Sequence, residues 1–185
     1  VLAVLQDADD VVATDADVAQ ALQLFGNTDV DSYEIDAQAD LNGLTVQAAA
    51  AVHGASVPVS YTINDGASEV LAATTMALDV LIGASQISVD DSNQPLVLNV
   101  DEAISLHNQL STGGTHFKVV DTLENILQAA ANPENITAFE QSVSYGLIAD
   151  DPSLDSVNLE DPLTVAQAIV YSQIEGFVQP HAPSG

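Results

Sequence analysis

Oxygen-bearing side chains are the residues of this chain best placed to do chemistry, and cation binding is the chemistry they point to. Asn27-Thr28-Asp29-Val30-Asp31 puts three of them at alternate positions, as a helix–loop–helix calcium loop does at its start. The pattern then lapses. Its sixth position is Ser32 where such a loop needs glycine, and its twelfth is Gln38 where it needs a bidentate acid. A second candidate is Asp90-Asp91, followed by Ser92 and Asn93. Asp7, Asp9 and Asp10, Asp15 and Asp17, and Asp150 and Asp151 form further acidic groups. Such groups hold a hard cation only where the fold aims them together; elsewhere they cap helices or sit in solvated turns. The expected cofactor is calcium, with Asn27, Asp29, Asp31, Asp90 and Asp91 as candidate ligands.

Histidine offers a second donor set. His53 and His107 each lie nine residues past a leucine, Leu44 and Leu98, in two similar segments. Equivalent histidines with nearby carboxylates are a zinc or copper donor set, although a histidine at a repeated helix position is more often a partly buried face residue. His116 and His181 have no ligand-like spacing. The sequence contains no Gly-x-Ser-x-Gly elbow, no His-Glu-x-x-His and no phosphate-binding loop. A Ser–His–Asp set or a carboxylate pair leaves no local signature in so acid-rich a chain. With aromatics at 4%, platforms for stacking sugars are scarce. No catalytic residue is assigned, and the chain is not expected to be an enzyme.

Charge narrows the partners. Against 27 acidic residues stands one basic residue, Lys118, for a formal charge of −26. Nothing in such a chain can neutralise phosphates, so nucleic acid and anionic membrane surfaces are excluded as partners. Salt or bound cations must screen the self-repulsion. There is no cysteine, which removes disulfides and thiolate chemistry and fits a bacterial or archaeal surface. Val1–Leu5 is apolar but too short, and lacks the basic flank, for an intact signal peptide; we expect a removed signal or a segment of a longer chain. No run reaches membrane-spanning length. At 47% hydrophobic the chain must fold, with a core of Ala, Val, Leu and Ile.

The elements that must position these residues recur. Ser32-Tyr33-Glu34-Ile35-Asp36, Ser60-Tyr61-Thr62-Ile63-Asn64-Asp65, His116-Phe117-Lys118-Val119-Val120-Asp121 and Ser144-Tyr145-Gly146-Leu147-Ile148 read as short strands. Their aromatic positions are 28, 56 and 28 residues apart, and Gln86–Asp91 fills the gap without an aromatic. A second motif interleaves: Leu44-Thr45-Val46-Gln47-Ala48-Ala49, Leu98-Asn99-Val100-Asp101-Glu102-Ala103 and Leu163-Thr164-Val165-Ala166-Gln167-Ala168, with a fainter copy over 12–21. Helical spacing follows the strands at Val70 to Ile82, Leu123 to Ala130 and Val165 to Ser172. Asp121 with Glu124, Thr137 with Glu140 and Thr164 with Gln167 have capping-box spacing, and Gly83, Gly113-Gly114 and Gly176 are expected stops. Strand, acidic cap and helix repeating near every 28 residues predict an α/β fold, a short solenoid or layered repeat of strand–helix units with parallel strands. One domain over 1–178 and a flexible tail over 179–185 are expected.

The runs Tyr61–Ala73, Val119–Ala129 and Leu163–Ala168 resemble a repeat of very large bacterial exported proteins, over about residues 30–175. Calcium-dependent adhesins, surface-layer proteins and haemolysin-type giants carry such segments. The resemblance implies a non-catalytic module and brings no catalytic residue. The glycine–aspartate nonapeptide of calcium-binding β-rolls is absent: Gly113-Gly114-Thr115-His116-Phe117 begins like one but lacks the Asp. The expected function is an extracellular or cell-surface structural module of a surface layer, filament or adhesin stalk. It would be cation-stabilised and associate with itself or with neighbouring segments. The alternatives are a surface module binding a glycan or protein, and an acidic secreted enzyme.

Overall fold

The computed structural model describes residues 3–7, 10–90, 95–148 and 164–174. Asp91, Asp150, Asp151, Gly176 and the tail 179–185 lie outside that set. The chain forms a mixed α/β fold of short sheets and helices. In order it runs β1 (Ala3–Asp7), β2 (Asp10–Ala16), α1 (Val18–Leu24), β3 (Ser32–Ile35), α2 (Val46–His53) and β4 (Thr62–Asp65). It continues through α3 (Ala67–Met76), α4 (Leu78–Gly83), β5 (Gln86–Val89), β6 (Leu96–Leu98), α5 (Val100–Thr112) and β7 (Phe117–Asp121). The last described elements are α6 (Leu123–Ala130), a 3-10 turn at Pro133–Asn135, α7 (Ile136–Gln141), β8 (Ser142–Leu147) and α8 (Val165–Ser172).

The contacts divide the chain into two compact units, one running to Gln94 and including Asn108–Thr115, the other formed by Pro95–His107 and the chain from His116 on. In the first, β1-β2-β3 form one sheet and β4-β5 another; in the second, β6-β7-β8 form a third. The pairs β2–β3, β4–β5, β6–β7 and β7–β8 are parallel, as expected. Single parallel bridges join Leu44 to Ile63 and Tyr145 to Ile174. The exception is β1, antiparallel to β2, because two residues between them are too few for a crossover.

The spacing between paired strands is not a uniform 28 residues. Val12 pairs with Ser32 and Leu96 with Phe117, steps of 20 and 21 residues, each crossed by one helix, α1 or α5. Thr62 pairs with Gln86 and Phe117 with Ser142, steps of 24 and 25 residues, and these crossovers hold two short helices. The length of the crossover sets the step. The expected helix over Val70–Ile82 is in fact two, broken at Ala77 (φ −152°, ψ 45°) with no glycine or proline to break it. The break is tertiary: beyond it Val80 and Leu81 are buried, and the Val80 carbonyl receives the Tyr61 hydroxyl. Thr137 caps nothing, because α7 begins one residue before it. Thr164 and Gln167 do form the box, and so do Asp17 and Gln20 ahead of α1.

The core is aliphatic, as composition required. Ala21, Ala49, Ala51, Val52, Ile63, Val70, Leu81 and Ile87 are buried in the first unit, and Leu96, Leu98, Phe117, Leu123 and Ile126 in the second. One hydrogen bond recurs in the first unit. The hydroxyls of Ser56 and Ser85 donate to the carbonyls of Tyr33 and Tyr61, each at 2.9 Å, whereas that of Ser142 lies 3.4 Å from the Phe117 carbonyl and closer, at 2.8 Å, to that of Ser144. In the first two, the serine amide donates to the same carbonyl. The first two bonds tie the carbonyl of an aromatic residue in or just before a strand to the chain that follows the next helix or helices.

Gly113, beyond α5, packs flat on the backbone of β5. A Cβ there would stand 1.8 Å from the Ile87 carbonyl oxygen. Gly113→Ala is therefore expected to cost about 3 kcal/mol or more, by overpacking against backbone that cannot move aside. Gly26, with φ +75° and open space around it, should lose only about 1 kcal/mol as alanine. Urea-unfolding midpoints of the two variants check the ranking.

Candidate functional site

The acidic residues do their most specific work at strand ends. Asp65 ends β4; its Oδ1 accepts from the Gly66 amide at 2.9 Å and its Oδ2 from the Val46 amide, at the start of α2, at 2.8 Å. Asp121 ends β7 in the same way. Its Oδ1 accepts from the Thr122 amide at 2.7 Å and from Asn125 Nδ2 at 2.8 Å, and its Oδ2 from the Val100 amide, at the start of α5, at 3.0 Å. Each carboxylate thus joins the N-terminus of the helix before its strand to the turn after it. Free amides and the positive end of the helix dipole favour a negative charge there.

The predicted cation ligands are partly committed to such bonds. Asp31 Oδ2 accepts from the Val11 amide at 2.6 Å, and Asn27 Oδ1 from the Asp29 amide at 3.0 Å. Both fix the exposed loop between α1 and β3. Asp90 is exposed at the end of β5, and its amide donates to the Asp65 carbonyl at 3.1 Å. The structure does not bring Asp29, Asp31 and Asp90 into one cluster. Among the described residues, no group of three or more His, Asp or Glu is placed to hold a metal.

Three side chains that the sequence did not link converge in the first unit. The Tyr61 hydroxyl donates to the Val80 carbonyl at 2.7 Å and lies 3.0 Å from His53 Nδ1. His53 Nε2 stands 3.7 Å from Asp79 Oδ2. Burial first, and then the Asp79 charge, pushes the Tyr61 phenol up to about 12, so it remains a neutral hydroxyl. His107 makes only a local contact, donating from Nδ1 to the Ile104 carbonyl of its own helix at 2.8 Å. The repeat position marked His53, but Tyr61 and Asp79 join it only through the fold.

The second unit holds two clefts. One of about 590 Å³ is lined by Phe139, Val143, Tyr145, Ile169 and Val170, with Glu140 beside them. Tyr145 stacks on Phe139 at 5.7 Å and donates to its carbonyl. Burial, and secondarily Glu140, holds the Tyr145 phenol near about 12. The Ser142 hydroxyl there donates to the Ser144 carbonyl at 2.8 Å. The other cleft, about 440 Å³, is polar and lined by Asp101, Asp121, Asn125, Gln128, Asn132 and Asn135. Among the described residues no helix is long and apolar enough to cross a membrane.

Two outcomes follow from these bonds. Asp65→Ala removes two charge-assisted bonds to backbone amides and is expected to cost about 2–3 kcal/mol, whereas Asp29→Ala should cost under about 0.5 kcal/mol. Chemical denaturation of both variants measures the difference. Tyr61 and Tyr145 titrate near about 12 in the fold against 10.0 when free, so the native state keeps protons that the unfolded chain releases. Their stabilising contribution is whole below pH 10 and is lost as the pH rises towards about 12. Urea midpoints on either side of pH 10 should fall, and less steeply in Tyr61→Phe. Compared with family models, curated proteins and solved structures, the chain matches none.

Proposed function

We propose that this chain is a non-catalytic structural module of an exported, cell-surface assembly, a stack of strand–helix units belonging to a surface layer, filament or adhesin stalk. The recurring bond between a serine that follows a helix and the aromatic residue about 23 residues before it carries the reading, at Ser56–Tyr33 and Ser85–Tyr61, where both the serine hydroxyl and its amide donate to the same carbonyl. The strand-end carboxylates Asp65 and Asp121 repeat the same clamp on the helix before them. A bond set used at more than one step suits a layered repeat, in which every unit buries its apolar face against its neighbours. The resemblance to the repeats of large exported bacterial proteins points the same way.

Self-association fits the edges such a stack leaves. Among the described residues β1 pairs on one side only, with β2, and an unpaired strand edge is a template for another chain. Calcium or a similar cation would bridge acidic faces that otherwise repel at a charge of −26. A second reading, a glycan-binding surface module, draws on the cleft lined by Asp101, Gln128 and the remaining donor and acceptor atoms of Asn125, Asn132 and Asn135.

Electron microscopy with light scattering on the purified chain, in calcium and then in chelator, tests the proposal. Ordered fibres or sheets that dissolve in chelator are expected. A monomer indifferent to both would overturn self-assembly, and retention on a glycan array by that monomer would establish the second reading.

A further inference from the structure

We propose that the apolar cleft of the second unit binds a small organic monocation, an ammonium group carried on an apolar body, with the body between α8 and β8 and the charge at Glu140. The inference is independent of self-assembly and concerns a different cleft from the amide-lined one considered above.

The walls are built before a ligand arrives. Ala166, Ile169, Val170 and Gln173 follow one another at three- and four-residue steps, so they lie along one face of α8 and its C-cap. The Thr164–Gln167 box fixes the start of that helix, and Gln167 Nε2 donates to the Leu127 carbonyl of α6 at 2.9 Å. On the other wall, Ser142–Tyr145 is held by the pairing of β8 with β7. Phe139 and Tyr145, buried and stacked at 5.7 Å, supply a fixed aromatic base.

Apolar surface is left open above that base. Val143 and Ile169, one from each wall, are 51% and 53% exposed. A cleft of about 590 Å³ with mainly apolar lining has the size and character of a small-molecule site. Covering the two aliphatic side chains with an apolar body is the driving contribution.

Charge sets the sign of the ligand. Glu140 is the one charged residue of the lining, and the adjoining stretches 141–149 and 162–174 contain no acid. Its carboxylate lies close enough to raise the Tyr145 phenol. One carboxylate in an apolar lining is too few donors for a metal ion, which needs several, but it suits an ammonium that keeps water on its remaining protons. The Tyr145 and Ser142 hydroxyls are already spent on the Phe139 and Ser144 carbonyls, so a polyol finds little to bond. The charge of −26 also draws cations to the surface and repels anions.

The test is a titration of the whole chain with phenethylammonium, and with phenethyl alcohol and phenylacetate as neutral and anionic counterparts of similar shape. Methyl resonances and calorimetry read the binding. Phenethylammonium is expected to shift the Val143 and Ile169 methyl signals and to bind more tightly than the alcohol, with phenylacetate weakest. Glu140→Gln should weaken the ammonium about threefold, the worth of one exposed ion pair, and leave the alcohol unchanged. Ile169→Gln should weaken ammonium and alcohol alike, by about fivefold. Because the wild-type methyl signals report on the cleft directly, the result does not depend on any variant folding. Methyl signals unmoved by the ammonium, or phenylacetate binding as tightly as the ammonium, would overturn the proposal.

Discussion

A carboxylate in this chain has almost no cationic side chain to pair with, and the way the fold answers that shortage shapes everything else. With 27 acidic residues and a single lysine, ion pairing cannot place the acids. Backbone amides do so instead. Asp65 and Asp121 each spend both oxygens on N–H groups at helix starts and turns, and Asp17 and Asp31 each spend one. Such a bond is local and directional, it uses amides that a helix leaves unpaired in any case, and salt screens it less than a surface ion pair. It also joins elements about twenty residues apart, so a charge that looks like solubility in the sequence acts as a connector in the fold.

Hydroxyl groups do the complementary work inside. Tyr33, Tyr61 and Tyr145 are buried, and each donates its proton to a backbone carbonyl, of Ala51, Val80 and Phe139. A buried hydroxyl without a partner would cost about 1–3 kcal/mol, a large part of what burial of the ring gains, so these bonds make the burial worthwhile. In a core otherwise made of Ala, Val, Leu and Ile, the tyrosines supply both bulk and direction. At Tyr33 and Tyr61 the backbone carbonyl in turn accepts from the hydroxyl and the amide of Ser56 and Ser85. Tyr61 shows how such an anchor acquires a second consequence: once its proton is fixed, so is the tautomer of the histidine beside it.

The proposed functions rest on these connectors. Under the proposed stacking role, the clamps at Asp65 and Asp121 would join neighbouring strand–helix steps. In the polar cleft of the second unit, Asp121, Asn125, Asn132 and Asn135 already bond within the fold. Binding by such a molecule falls to edges, amide-lined grooves and an apolar cleft.

Much of this was legible in the sequence, and the limit has a physical cause. Short strands at Tyr33, Ile63, Ile87, Val119 and Tyr145, parallel pairing and the Thr164–Gln167 cap follow from local pattern, because side-chain periodicity and capping chemistry act over a few residues. The acidic, cysteine-free composition by itself determined an aliphatic core, no lysine-rich partner face and no thiol chemistry. The tertiary structure alone decided the rest. The pairing steps depend on how many helices fill each crossover, and the break at Ala77 depends on where the Val80 carbonyl must meet Tyr61. Asp31 and Asn27, spaced like cation ligands, turn towards the Val11 and Asp29 amides. His53, Tyr61 and Asp79 come from two helices and the start of a strand, with no sequence spacing to link them. Which acceptor a side chain finds across twenty residues is settled by packing, and that is information a linear pattern does not contain.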